Sequence, residues 1–247
     1  MPPIDLRLVK DFIGEHIGPD FHEKKLDKLK ALTLDTILKR KNPYLFKAKG
    51  AVTANDLIEA VLDATVSSGE ETIFGNFLEK IAIFVSKEAY AGKKSSTTGL
   101  DLEFQHSGKY YIVTIKSGPN WGNSDQIKKM QSNFTKAKKT LRTSGGIGKA
   151  EVVAIEGCCY GKDDSPEKGD YQKLCGQRFW KLMSGRDELY RELIEPLGTS
   201  ATERNAVLVT LRAQKLNQFT QVFLAKFCDT GLINWDKLVR YNSGMKS

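Results

Sequence analysis

The sequence predicts an α/β fold: a helix, an antiparallel hairpin, a second helix, and a strand that returns to a mixed sheet. Three observations predict it. Residues 70–86 carry an apolar stripe at helical spacing, Phe74, Leu78, Ile81 and Val85, widened by Ile73, Phe77 and Phe84. Two runs of period two, Leu102-Glu103-Phe104 and Tyr111-Ile112-Val113-Thr114-Ile115-Lys116, flank a bend at Ser107-Gly108. A basic helix then leads from the second run to Glu151-Val152-Val153-Ala154-Ile155, which reads as a buried strand. Strand, helix, strand is a parallel crossover, so the sheet is mixed.

The other elements follow in order. Residues 4–17 place Ile4, Leu6, Leu8, Val9, Phe12 and Ile13 at helical spacing, and Gly18-Pro19 stops the helix. Residues 21–40 read as a very basic helix ending before Asn42-Pro43. Residues 53–67 form a third, with Thr53 or Asn55 as N-cap and Ser67-Ser68-Gly69 as breaker. In the helix over 70–86, Glu71 falls on the apolar stripe and Glu79 at its edge, beside Gly75 and Ala82. An acid there is either a satisfied surface group or a carboxylate aimed into a site. The basic helix spans 125–142, with Ser124 as N-cap, and Ser144-Gly145-Gly146-Ile147-Gly148 ends it. Residues 157–171 are turn-rich. Helices are predicted over 173–183, 187–194 and 202–227, with a last turn or two at 235–241. No repeat marks a boundary, so residues 1–247 read as one domain. Its core, 69–157, carries helical additions on either side, 1–68 at the N-terminus and 158–247 at the C-terminus.

A chain of 247 residues suits one large domain or two small ones, and 40% hydrophobic residues suits a buried core. No apolar run is long enough to span a membrane, and no signal-peptide apolar region opens the sequence. The expectation is a soluble, cytoplasmic protein. Lys+Arg 38 against Asp+Glu 30 gives a net charge of +8. Many soluble proteins are mildly basic. The clusters say more: Lys24-Lys25 to Lys30, Lys39-Arg40-Lys41, Lys93-Lys94, Lys128-Lys129 and Lys136 to Lys139. Phosphate contacts from several elements suit a polyanionic partner. Cys158, Cys159, Cys175 and Cys228 contain no CxxC and read as buried free thiols. The three histidines lack ligand spacing, and nothing supports a Ser/His/Asp or Cys/His triad.

The hairpin carries the chemistry. Side chains two apart share a face, so Leu102, Phe104, Val113 and Ile115 form one set. Asp101, Glu103, Thr114 and Lys116 form the other. Pairing about the bend sets Asp101 opposite Thr114 and Glu103 opposite Ile112, with Lys116 one pleat beyond. Two carboxylates and an ammonium converge on one patch, which reads either as a solvated outer face or as the site of a metal-dependent nuclease. The loop Ser117-Gly118-Pro119-Asn120-Trp121-Gly122-Asn123-Ser124 favours the second reading, because a solvated hairpin has no need of a Trp there.

An acid on the first hairpin strand, followed by Thr114-Ile115-Lys116, resembles the PD-(D/E)XK nuclease superfamily. More closely, several segments resemble type II restriction endonucleases of the PmeII kind. They are Asn42-Pro43-Tyr44-Leu45-Phe46, Glu71-Thr72-Ile73-Phe74-Gly75 through Leu78-Glu79, Gly99 to Phe104 and Ile115 to Ser124. Cys158-Cys159-Tyr160-Gly161 and Gly176-Gln177-Arg178-Phe179-Trp180 extend the similarity. One departure stands out: the acid of the acid-X-Lys triplet is Thr114. Glu103 and Glu79, the latter in a Gly-x-x-x-Glu arrangement typical of the superfamily, are the candidates to replace it, with Glu71 a weaker third; without a replacement the chain would bind DNA and cut poorly.

The resemblance implies a restriction-endonuclease-like core and hydrolysis of double-stranded DNA at a specific short sequence. Asp101, with Glu103 or Glu79, would hold Mg²⁺. Lys116 would stabilise the attacking water and the developing charge, and Thr114 would orient the water or donate to a phosphate oxygen. Asn120, Trp121, Asn123 and Gln126 could reach DNA; their alternative role is loop packing and capping. Lys162, Asp163, Gln177 and Arg178 are candidates for base readout or plain surface. A homodimer on palindromic sites and a cognate DNA methyltransferase are the implied partners. The rival readings are a degenerate DNA-binding protein of the same fold, a repair or structure-specific nuclease, and an RNA-binding protein.

Overall fold

The computed structural model describes residues 3–144, 147–148, 150–198 and 201–245. In chain order the helices before the sheet are α1 (Leu6–Ile17), a π-helical stretch (Gly18–Glu23), α2 (Lys24–Ala31), α3 (Leu34–Arg40), α4 (Pro43–Ala48) and α5 (Ala54–Tyr90). Then come β1 (Lys93–Lys94), β2 (Leu102–His106), β3 (Lys109–Lys116), α6 (Ser124–Ser144), β4 (Glu151–Cys158) and β5 (Gln172–Cys175). The chain continues with α7 (Gln177–Ser184), α8 (Leu189–Glu192), α9 (Ile194–Gly198), α10 (Ala201–Phe227), β6 (Cys228–Asp229), β7 (Leu232–Ile233) and α11 (Trp235–Ser243).

Among the described residues, five strands form one mixed sheet in the order β1-β2-β3-β4-β5. The first three are antiparallel neighbours, and β4 and β5 run parallel to β3. This α/β architecture, a mixed sheet flanked by helices, has a restriction-endonuclease-like core. The hairpin register pairs Glu103 with Ile112 and Leu102 with Val113, as the alternation requires. The crossover through α6 sets Thr114 beside Glu156, and Glu156 beside Lys173.

Both faces of the hairpin are covered by helices, and neither is a solvated outer face. On one face Ile112, Val152 and Ala154 pack with Met130, Phe134 and Ala137 of α6, whose spacing of four and three places them on one stripe. On the other, Tyr90 of α5 stacks on Phe104, Phe104 stacks on Tyr111, and Phe179 of α7 lies against Gly157. A sheet covered on both faces reads as near-continuous burial, and residues 112–115 are all buried.

The chain divides into two compact units, Met1–Ile17 with Phe74–Thr199, and Gly18–Ile73 with Ser200–Ser247. The first holds the five-stranded sheet. The second is helical apart from the short antiparallel pair β6–β7, with a core of Ile37, Leu38, Leu57, Ile58, Leu62, Phe219 and Phe223.

Several helix boundaries differ from the sequence expectation. Ser67-Ser68-Gly69 does not break a helix: α5 runs unbroken through it for 37 residues. An interior Gly costs about 1 kcal/mol, less than restarting a helix with a new nucleus and caps. Thr53 is the cap, and its pairing with Asp56 is reciprocal, each side chain accepting from the other's backbone N–H. The basic segment 21–40 divides instead at Leu32-Thr33, where Thr33 caps α3. Asn42 does more than follow a helix end; it caps α4. Residues 173–183 open as strand β5 and turn helical only past Gly176, at φ +51°. Gly145 and Gly146, expected to end α6, lie outside the described residues. No helix among the described residues is long and apolar enough to cross a membrane.

Candidate active site

Asp101 sits one residue before β2, and its backbone N–H donates to the Val113 carbonyl at 2.9 Å. Gly99, at φ +82°, makes the preceding turn, and a Cβ there would collide with the Asn133 side chain. The Asp101 carboxylate is held through one oxygen. Oδ2 accepts from the Ile115 N–H at 2.6 Å and from Thr114 Oγ1 at 3.1 Å. Lys116 Nζ stands 4.0 Å from the same oxygen. No hydrogen bond reaches Oδ1 among the described residues. Asp101 and Lys116 side chains are 25% and 26% exposed, open enough for a ligand, whereas Thr114 is buried.

Of the replacement acids, Glu79 and Glu103 differ sharply in surroundings. Burial on α5 raises the proton affinity of Glu79, and the negative charge of Asp101 raises it further, against the opposing pull of Lys94 and Lys116. Glu79 therefore shares the electrostatic environment of Asp101 and Lys116. Glu103 is buried and engaged elsewhere: it accepts from Ser95 Oγ and from the Tyr110 hydroxyl, the latter at 2.6 Å. Burial and that bond push the Tyr110 hydroxyl upward. Glu71 is exposed and belongs to the second compact unit.

A half-buried carboxylate with a second acid near it has a stability signature. Glu79 carries a raised folded pKa, so its penalty is absent below the ordinary carboxylate range and full once the pH has passed its raised value. Glu79→Gln is expected to raise the melting temperature in EDTA at neutral pH, and the gain should vanish on acidification. Calorimetry over about pH 3–8 reads this; a gain that persists at the acid end would remove the electrostatic explanation.

The loop after β3 is fastened from several sides. The Cys159 and Tyr160 N–H groups donate to the Lys116 and Ser117 carbonyls, at 2.9 and 3.1 Å. Gly118 lies so close to the Tyr160 ring that a Cβ would overlap it. Trp121 turns inward: its Nε1–H donates to Glu156 Oε1 at 2.8 Å, and Lys116 Nζ lies 4.9 Å from the ring centroid. Lys173 Nζ donates to the Pro119 carbonyl at 2.8 Å and pairs with Glu156 at 3.1 Å. Burial alone would lower the Lys173 ammonium, but the bond to Glu156 and its charge outweigh burial and raise it. Sequence reasoning missed both Glu156 and Lys173. A signal existed: Glu156 directly continues an apolar strand run, where a charge needs a partner.

The other residues singled out from sequence fall into two groups. Asn123 and Gln126 cap α6 reciprocally, the Gln126 N–H donating to Asn123 Oδ1 at 3.0 Å and the Asn123 N–H to Gln126 Oε1 at 2.9 Å. Asn123, not Ser124, is thus the cap. Asn120 is exposed on the loop. Lys162, Asp163, Gln177 and Arg178 lie on the β4–β5 connection and α7. Asp163 accepts from the Ser165 N–H and Lys168, and Gln177 Nε2 donates to the Asp187 carbonyl. Lys162 and Arg178 are exposed. The structure therefore brings together Asp101, Thr114, Lys116, Glu79 and Trp121, and leaves these four outside that cluster's hydrogen bonds.

Among the described residues, no group of three or more His, Cys, Asp or Glu side chains could hold a metal alone. Two carboxylates, one with an uncommitted oxygen, fit Mg²⁺, which is usually bound through one or two carboxylates, waters and substrate phosphates. A search of curated proteins finds no match. A sequence model described as type II restriction endonuclease EcoO109I matches residues 7–205, which include every residue of this cluster. The chain belongs to the type II restriction endonuclease EcoO109I family, which makes it a DNA-binding, site-specific DNA endonuclease.

Proposed function

We propose that this chain is a Mg²⁺-dependent endonuclease of the PD-(D/E)XK superfamily, similar to the PmeII kind, that hydrolyses double-stranded DNA at a short sequence. In this reading the whole chain serves as one nuclease domain in the cytoplasm, acts as a homodimer on palindromic sites and is accompanied by a methyltransferase. The observation that carries it is the Lys116 ammonium standing beside the Asp101 carboxylate, with Glu79 near enough for the charges of both to act on it.

Asp101 and Glu79 would hold Mg²⁺, and the chemistry it would supply is charge neutralisation at the scissile phosphate. The residues do the rest. Thr114 cannot neutralise a cation; its hydroxyl and the Ile115 N–H fix the rotation of the Asp101 carboxylate and leave Oδ1 uncommitted. Lys116 offers a compact ammonium that donates to the attacking water or a phosphate oxygen and stabilises charge as it develops. Asn120, exposed on the adjoining loop, is the closest of the predicted DNA contacts in sequence to Lys116.

Thr114→Val keeps the shape but deletes the donor to Oδ2. The expected result is a cleavage rate lower by about tenfold, the cost of one hydrogen bond of ~1 kcal/mol or slightly more, with DNA affinity unchanged. Single-turnover cleavage and gel shifts check it. The reading as a whole is tested by digesting plasmid and phage DNA with Mg²⁺ and with EDTA. Discrete fragments that require the metal support it. Retention of DNA in a gel shift with no cleavage in Mg²⁺ or Mn²⁺ would instead make the chain a binder with a degenerate site.

A further inference from the structure

The buried pair of Glu156 and Lys173 lies on β4 and β5, one and two strands away from Thr114. Glu156 is 2% exposed and the Lys173 side chain 15%. A buried ion pair seldom offsets its desolvation in stability, so its retention calls for another account. Its connections supply one. Glu156 Oε1 takes both the Lys173 ammonium and the Trp121 indole N–H. The same ammonium reaches the Pro119 carbonyl, two residues before Trp121. Pro119 and Trp121 are thus tied to one charge pair, on either side of exposed Asn120. The product of this fastening is the position of the indole, whose face meets Lys116 Nζ at 4.9 Å from its centroid. On its other side Lys116 meets Asp101 Oδ2 at 4.0 Å. A flexible four-carbon stem is thereby restrained between a carboxylate and an aromatic face.

We propose that Glu156 and Lys173 are positioning residues that hold Trp121 against Lys116, so that the ammonium is fixed beside Asp101 before DNA arrives. The proposal rests on the nuclease reading for its consequence but not for its geometry. It gives Trp121 a different role from a DNA contact: the indole N–H is already committed to Glu156. Removing the ring frees Lys116 to swing to other rotamers. The chemical step then slows, while phosphate contacts elsewhere keep the affinity for duplex.

The test uses the full chain with ¹³C-labelled lysine, the Lys116 resonance being assigned through Lys116→Arg. In the wild type the Lys116 Hε signal should lie upfield, under the ring current of Trp121. Trp121→Leu should return it to the position of an exposed lysine, Glu156→Gln should move it some of the way, and Trp121→Phe should keep a fraction of the shift. In parallel, single-turnover cleavage in Mg²⁺ should fall about 10- to 30-fold in Trp121→Leu, less in Trp121→Phe, with gel-shift affinity in Ca²⁺ unchanged. An unshifted Lys116 signal in the wild type overturns the proposal. So does a Trp121→Leu variant that loses affinity but keeps its rate, since Trp121 would then be a DNA contact. If the wild type does not cut, the nuclease reading fails while the Lys116 signal still decides the positioning claim. Should Glu156→Gln fail to fold, the two Trp121 variants carry the comparison.

Discussion

Lys116→Ala is expected to slow cleavage by about 10²–10³-fold at saturating enzyme, the usual cost of removing one donor aimed at developing charge. Asp101→Asn should cost at least as much, since it removes the anionic charge that the proposed mechanism offers to Mg²⁺. Neither should weaken binding to duplex measured without a catalytic metal. The basic groups lie on many elements, from Lys24 to Lys237, and one lysine is a small fraction of such a surface. Lys116→Arg should not restore the rate: a planar guanidinium cannot replace a compact ammonium confined between the Trp121 ring and Asp101. Parallel single-turnover assays and gel shifts measure both quantities. A fall in affinity matching the fall in rate would make these residues binding groups and sink the catalytic assignment.

The largest stability effect is expected at Phe134. It is 1% exposed on α6 and packs with Ile112, Met130, Ala154 and Tyr171, on the sheet face that also carries Thr114 and Glu156. Phe134→Ala should destabilise the sheet-bearing unit by about 3–5 kcal/mol, transfer energy and cavity cost together. Urea unfolding followed by tryptophan fluorescence reads the change. Activity should be lost at temperatures where the wild type is still folded, because α6 roofs the strands that align Thr114 with Glu156. A shift below ~1 kcal/mol would mean that the site collapses around the hole and that this face is packed more loosely than described.

The core was legible where the pattern had a period. The hairpin register, the parallel return to β4 and the neighbourhood of Asp101, Thr114 and Lys116 all follow from alternation and a single turn. Burial of Glu103 and Thr114 was not legible, because both look like solvent residues until α6 packs on their sheet face at Ile112 and Ala154 and Glu103 finds Ser95 and Tyr110. Strands of two and four residues, such as β1 and β5, are too short to show a period, so Lys173 was assigned to a helix. Ser67-Ser68-Gly69 failed as a breaker because local propensity is a weak term: a Gly inside a helix costs about 1 kcal/mol, too little to end one that is anchored by buried residues on both sides of it. The Glu156 partnership needed the β3–β4–β5 register, and no spacing along the chain encodes it.

The close approach of Gly118 to Tyr160 also bears on how such a protein can change over generations. Gly118 has no space to vary, with the Tyr160 ring against it, and the next residue's carbonyl carries an ammonium. Trp121 is anchored, and Asn123 is committed to a helix end. Asn120 alone between Ser117 and Trp121 is exposed. Mutational drift in this stretch is therefore turned away from Gly118 and towards Asn120, and a library randomised at Asn120 should retain folded members where one randomised at Gly118 does not.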